Sequence, residues 1–76
     1  MYMFSSGTLG PDLRRLRDAR GLTQAALAER AGLSRIFIAK VEAGDRLPSW
    51  PTFDRLARLL GARVEVRLVP QRRAGG

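Results

Sequence analysis

Residues 24–44 read QAALAERAGLSRIFIAKVEAG and predict two short helices joined by a tight turn at Gly32. Glycine can adopt a positive φ, which suits a turn this short. Ala28 is small where the two helices must approach closely, and Ile38 and Val41 lie one turn apart, as a buried face requires. The sequence therefore predicts a pair of crossing helices, the second of them polar and basic on its outer side.

Four glycines each end an apolar-periodic segment and so predict the ends of four helices. These are Gly21, Gly32, Gly44 and Gly61. Pro11 suits the first position of a helix, so we expect the first helix to begin there. Thr23, Ser34 and Ser49 are predicted N-caps of the other three. The fourth helix carries one apolar face, made of Trp50, Phe53, Leu56, Ala57 and Leu60.

The composition excludes several kinds of site. With 76 residues the chain forms one small domain, and with no Cys and no His it has neither a disulfide nor the usual zinc and iron ligand sets. The commonest general base and the best side-chain nucleophile are also missing. We therefore expect a binding protein that is not an enzyme and that needs no metal or other cofactor.

The charge favours a polyanionic partner. Lys and Arg number 14 against 7 Asp and Glu, a net charge of +7, and nucleic acid is the obvious polyanion. From charge alone, a merely basic surface is the alternative. The opening MYMFSSG lacks the positive start of a signal peptide, and no apolar run approaches the ~18 residues of a spanning helix. A cytoplasmic protein without a membrane partner is expected.

Three fragments in order resemble the lambda-repressor/Cro type of helix-turn-helix domain, also called the XRE family. They are LRDARGLTQAALAERAGLS, IAKVEAG and LPSWPTFDRLARLLG, within residues 9–61. The resemblance implies an all-α, compact four-helix domain that binds double-stranded DNA. It also implies that residues 24–31 cross the DNA backbone and that residues 34–43 enter the major groove.

The first turns of such a recognition helix face the base edges. Here they offer Arg35, Ile36, Ala39 and Lys40. Arg35 can bond O6 and N7 of guanine together, which is worth about 1–3 kcal/mol of discrimination. Ile36 suits a thymine methyl group, Ala39 permits close approach, and Lys40 suits a base or a phosphate. The alternative is that Arg35 and Lys40 only solvate a helix face.

Gln24, Ser34 and Arg46 are the predicted phosphate contacts. The family places a glutamine on phosphate at the position of Gln24, where the helix N-terminus already suits an anion. Arg46 follows from its place in the loop after the recognition helix, and Ser34 serves either as a contact or only as a cap. An aromatic residue at position 37 suits either a wedge against bases or packing, and we favour packing for Phe37.

The resemblance also implies that Arg17 and Glu42 form a structural ion pair between the first helix and the end of the third. Removing one partner of such a pair costs about 3–5 kcal/mol, because the other charge is stranded.

Residues 63–69, RVEVRLV, alternate as a β-strand does. Val64, Val66 and Leu68 share its apolar face and are the predicted dimerisation residues. MYMF (residues 1–4) is the alternative partner within the chain. The natural partner is the same strand of a second copy, centred on Val66, because this register places Glu65 opposite Arg67. The chain is thus divided into a flexible N-terminal segment (1–8), the helix-turn-helix domain (9–61), a C-terminal dimerisation strand (62–70) and a disordered tail (71–76).

The sequence therefore indicates a transcriptional regulator, a repressor that binds a palindromic operator as a homodimer. LARLLGARVEVRLV also resembles antitoxins of the HipB and HigA types, which favours a toxin protein as a further partner. Two alternatives remain: a protein-interaction module in which the strand and the tail bind a toxin and DNA contact is secondary, and a basic protein that coats DNA without regard to base order.

Overall fold

The computed structural model describes the backbone of residues 6–65 and 70, with side chains from Leu9 onward. It contains four α-helices: α1 (Ser6–Ala19), α2 (Gln24–Ala31), α3 (Arg35–Ala43) and α4 (Trp50–Leu59). The predicted all-α, four-helix class is confirmed. In the described part of the C-terminal segment, residues 62–65 have no regular secondary structure, and Val66 and Leu68 lie outside the described residues.

Helix α1 begins at Ser6, so its predicted start at Pro11 is wrong. Proline inside a helix removes a backbone hydrogen bond, so its preferred place is the first position of a helix. The additional turn buries Leu9, which is 3% exposed, and brings Gly10 against the end of α3. A Cβ atom on Gly10 would lie 2.7 Å from the carbonyl oxygen of Val41, so only glycine permits this approach. Tertiary packing has overridden a local preference.

The other three helices begin where the sequence predicts. The hydroxyl of Thr23 accepts a hydrogen bond of 3.0 Å from the backbone N–H of Ala26, and that of Ser34 accepts one of 3.0 Å from Phe37. Ser49 caps α4 in the same way. Each cap satisfies a backbone donor that a helix start leaves free. The caps thus fix the phase of each helix and, with it, the residues that face outward.

The turn between α2 and α3 is closed by Gly32, whose φ of 70° is left-handed, as predicted. Its N–H and that of Leu33 both bond to the last turn of α2, the latter to the carbonyl of Ala28 at 2.9 Å. These bonds satisfy carbonyls at the helix end. The direction of α3 relative to α2 is therefore set by a short connector whose first two N–H groups are bonded to α2.

The core lies where α1 and α2 pack on α3 and α4 packs on α2. Its buried residues include the predicted Ala28, Ile38 and Val41. The apolar face of α4 is buried from Leu56 onward, whereas Trp50, at the first position of the helix, is 49% exposed. None of the described helices has the length and apolar character needed to cross a bilayer.

Candidate nucleic-acid interface

The predicted base contacts lie together on the outer side of α3. Arg35, Ile36 and Lys40 are exposed, and Ala39 is half-buried, while Ile38 on the same helix is buried in the core. Ile36 is 60% exposed, so its apolar side chain is available for contact with a ligand. We call these four outer residues the recognition face: Arg35, Ile36, Ala39 and Lys40.

A hydrogen bond connects the recognition face to α2. Nη1 of Arg35 donates to Oε1 of Gln24 at 3.3 Å, and Nε2 of Gln24 donates to Oε1 of Glu42 at 3.1 Å. A carboxylate only accepts hydrogen bonds, so Glu42 orients the amide of Gln24 and turns its oxygen toward Arg35. Gln24, a predicted phosphate contact, is therefore also a partner of the leading base-contact candidate. The sequence carries no local signal for this bond, because it joins two helices.

Arg17 and Glu42 form a bidentate pair beneath that bond. Nε and Nη2 of Arg17 donate to the two oxygens of Glu42 at 2.6 and 2.9 Å, and Nη1 donates to the carbonyl of Leu22 at 2.7 Å. Arg17 is only 8% exposed. A bidentate arginine–carboxylate pair combines strength with fixed geometry. The pair therefore holds the end of α3 against α1 and against the connector before α2.

The pKa values reflect this arrangement. Burial by itself raises the pKa of the Glu42 carboxyl, but the hydrogen bonds from Arg17 and Gln24 outweigh it, so the pKa lies below its usual value. For Arg17 the hydrogen bond to Glu42 is the largest influence, and it raises the pKa of the guanidinium above its usual value. Both groups are therefore charged at neutral pH. A continuous series of hydrogen bonds therefore joins four residues, which we call the Arg17–Arg35 network: Arg17, Glu42, Gln24 and Arg35.

Arg46 lies over an aromatic ring beside this surface. Its guanidinium carbon is 5.2 Å from the ring centroid of Phe37, which is half-buried and packs against the core. Phe37 thus packs on the core, and its ring also carries Arg46.

The hydroxyl of Ser34 accepts the N–H of Phe37. In the described chain the structure gives Ser34 the role of a cap, and its contact with phosphate stays a prediction.

The cations on and beside the recognition face are available to a ligand. Among the described residues, no carboxylate forms an ion pair with Arg35, Lys40 or Arg46. By contrast, Arg15 on α1 and Arg58 on α4 are exposed but paired with acids on the same helix, Asp12 and Asp54, although Arg55 on α4 is in none of the described ion pairs. The region around α3 can therefore bind a polyanion without first breaking an ion pair.

The sequence matches the family described as "Helix-turn-helix domain" over residues 8–68. The immunity repressor protein of Bacillus phage phi105 is 40% identical over 57 residues, which is 75% of this chain and 40% of the repressor. An uncharacterized HTH-type transcriptional regulator, y4dJ of Sinorhizobium fredii, is 38% identical over 53 residues, 70% of this chain and 69% of that protein. The chain thus spans less than half the length of the phage repressor.

Solved structures share the fold. The restriction-modification controller protein C.AhdI of Aeromonas hydrophila superimposes with a TM-score of 0.72 at 38% identity, covering 76% of this chain and 88% of that one. A chain of the HipA-HipB-O2-O3 complex does so with a TM-score of 0.73 at 20% identity, covering 92% and 99%, which shows a common fold. The exposed α3, the capped turn before it and these likenesses together place the chain in the XRE-type helix-turn-helix family of DNA-binding proteins.

Proposed function

We propose that the protein is a sequence-specific transcriptional repressor that binds double-stranded DNA as a homodimer on a palindromic operator. The observation that carries the proposal is Arg35, an exposed arginine on the first turn of α3 whose guanidinium is held by Gln24 rather than by a carboxylate. A planar guanidinium on the first turn of a recognition helix suits the paired acceptors of guanine in the major groove. The relatedness to a phage immunity repressor supports the same function.

The proposed contacts divide into those that read bases and those that hold the backbone. Arg35 bonds guanine, Ile36 contacts a thymine methyl group, and Lys40 lies one turn further along the same face. Gln24, at the first position of α2, and Arg46 bind phosphate, where a helix N-terminus also offers backbone N–H groups. Affinity then depends mainly on phosphate neutralisation, and its logarithm falls with log salt by about 0.9 for each phosphate that Lys or Arg neutralises.

The proposed dimer uses the C-terminal segment. Val64 is half-buried and lines a groove of about 200 Å³ whose apolar floor is formed by α1 and α4, with Leu13, Leu16 and Phe53 among its residues. Val66 and Leu68, the other predicted dimerisation residues, lie outside the described residues. In the Val66-centred register, Val64 of one copy faces Leu68 of the other across the two-fold axis. Such a dimer can place two recognition helices about 34 Å apart, in successive major grooves.

A second candidate function is that of an antitoxin that binds a toxin protein and represses its own operon. The favouring observation is the likeness to a chain of the HipA-HipB-O2-O3 complex, of which 99% is covered. The two functions share the DNA-binding surface and differ in the second partner. Co-expression with the product of a neighbouring toxin-like reading frame, followed by purification of a stable complex, would favour the antitoxin.

The proposed function is tested by selecting bound sites from random DNA duplexes. A palindromic consensus is expected, with half-sites about one helical turn apart. The same selection with Arg35→Ala should lose one or two defined base pairs from the consensus. Arg58→Ala is the matched control, because it removes the same charge from an exposed residue of α4 that is paired with Asp54. Binding that ignores base order would instead indicate a protein that coats DNA.

A further inference from the structure

Arg46 is held in an unusual way for an exposed cation. The described ion pairs do not include it, and its guanidinium instead lies over the ring of Phe37, at 5.2 Å from the centroid. The backbone leading to it is fixed. Gly44 has a φ of 82°, and the N–H of Asp45 bonds to the carbonyl of Lys40 at 2.8 Å. Both ends of the side chain of Arg46 are therefore positioned, one by the backbone and one by the ring.

The ring itself is well anchored. Phe37 is half-buried against the core, and its backbone N–H is bonded to the hydroxyl of Ser34. An aromatic face attracts a guanidinium lying over it and uses none of its N–H donors. A carboxylate partner would occupy two of those donors and would also cancel the charge. Stacking on Phe37 thus leaves the edge of the guanidinium and its charge available to another anion.

We propose that Phe37 is a positioning residue that holds Arg46 by its face, so that the edge of the guanidinium meets a phosphate of the DNA backbone. The inference rests on the proposed function, and deepens it by assigning a role in DNA affinity to a side chain that packs on the core. Phe37 acts through Arg46 and needs no contact with DNA. Because phosphates are the same at every base pair, this device adds affinity on any sequence and changes no base preference.

The experiment is a double-mutant cycle on Phe37 and Arg46. Affinity is measured with a fluorescent, mixed-sequence DNA duplex at low salt for the wild type, Phe37→Leu, Arg46→Ala and the double variant. Phe37→Leu should weaken binding about 2- to 5-fold, the range of an exposed cation–π contact. In the Arg46→Ala background the same substitution should change affinity no further. Phe37→Trp, which keeps an aromatic face, should bind like the wild type.

A readout on the free protein separates positioning from stability. Protons of the Arg46 guanidinium over the ring face should be shifted upfield in NMR spectra, and the shift should vanish in Phe37→Leu and persist in Phe37→Trp. Leu59→Ala is the control for lost packing, since Leu59 is another half-buried residue against the core. It should lower stability without moving the Arg46 resonances. If Phe37→Leu fails to fold, Phe37→Trp and Phe37→Tyr carry the comparison, and loss of the shift in both would overturn the proposal.

Two further results would overturn the inference while leaving the proposed function intact. One is an equal loss of affinity from Phe37→Leu with and without Arg46, and the other is no loss from Phe37→Leu at all. No change in affinity or salt dependence in Arg46→Ala would overturn the role of Arg46 itself. Failure of the proposed function looks different, because the wild type would then either not bind the duplex at all or give no consensus in the selection from random duplexes.

Discussion

The two ends of the Arg17–Arg35 network lie in opposite environments. Arg17 is buried and donates to both oxygens of Glu42, whereas Arg35 is exposed and shares a single hydrogen bond of 3.3 Å with Gln24. Several short hydrogen bonds fix the position of the Arg17 side chain, whereas the single bond of Arg35 is weak enough to be exchanged for another partner. An interaction in the core chiefly stabilises the fold, and one at the surface is free to be exchanged for a ligand.

The largest expected effect is at the buried end. Glu42→Ala leaves the guanidinium of Arg17 buried without its carboxylate and should lower the free energy of unfolding by about 3–5 kcal/mol. Denaturant unfolding measures this, with Glu29→Ala, an exposed acid on α2, as control. Base preference should change less than stability does. An unchanged melting temperature in Glu42→Ala would contradict the structural role of the pair.

Gly10→Ala tests the same region from α1. The added Cβ would meet the carbonyl oxygens of Val41 and Glu42, so α1 must move away from the end of α3. Overpacking of this kind costs about 1–3 kcal/mol. Thermal unfolding is the measurement, and Pro11→Ala is the control, because Pro11 is exposed and its replacement restores a helical donor. Equal stability of Gly10→Ala and the wild type would show that the two helices tolerate separation.

At the exposed end, Arg35→Ala should leave the melting temperature unchanged and relax preference at one or two base pairs. The expected loss is about 1–3 kcal/mol of discrimination against the wrong base. Competition binding with single-base variants of the selected site measures it. An unaltered preferred site would mean that Arg35 does not read bases.

Gln24 connects the two ends, and its replacement sharpens the comparison. Gln24→Ala removes a proposed phosphate contact and should weaken binding to all sequences, by about 1 kcal/mol. Because its amide also orients Arg35, the variant should in addition relax preference at the same base pair as Arg35→Ala. The double variant should then be less affected than the sum of the two. Additive effects would show that the two residues act independently.

The smallest effect is that of pH. The folded pKa of Glu42 is depressed, so its contribution to stability is complete above the unfolded pKa and is lost as pH falls through the folded value. Melting temperature should therefore be insensitive to this residue near neutral pH and should fall below about pH 4.5. Glu42→Gln should show a flatter decline over that acid range. A parallel decline in both proteins would assign the acid sensitivity to other carboxyl groups.

Local signals predicted the hairpin of α2 and α3 well, because its caps and its turn are decided by adjacent residues. Thr23, Ser34 and Gly32 each satisfy backbone groups a few positions away. The start of α1 was not predictable in this way, since Pro11 obeys a local preference that packing of Leu9 overrides. The bond between Gln24 and Arg35 has the same character. Both features depend on contacts between residues that are distant in sequence, so neighbouring residues do not predict them.

The two sides of α3 differ in their role, and this difference affects how the sequence can evolve. Its inner side, with Ile38 and Val41, is buried in the core, while Arg35, Ile36 and Lys40 are exposed. Substitutions at those outer positions can therefore accumulate without unfolding the protein. With the base contacts proposed above, a lineage of such chains can acquire new target sites one side chain at a time on an unaltered scaffold.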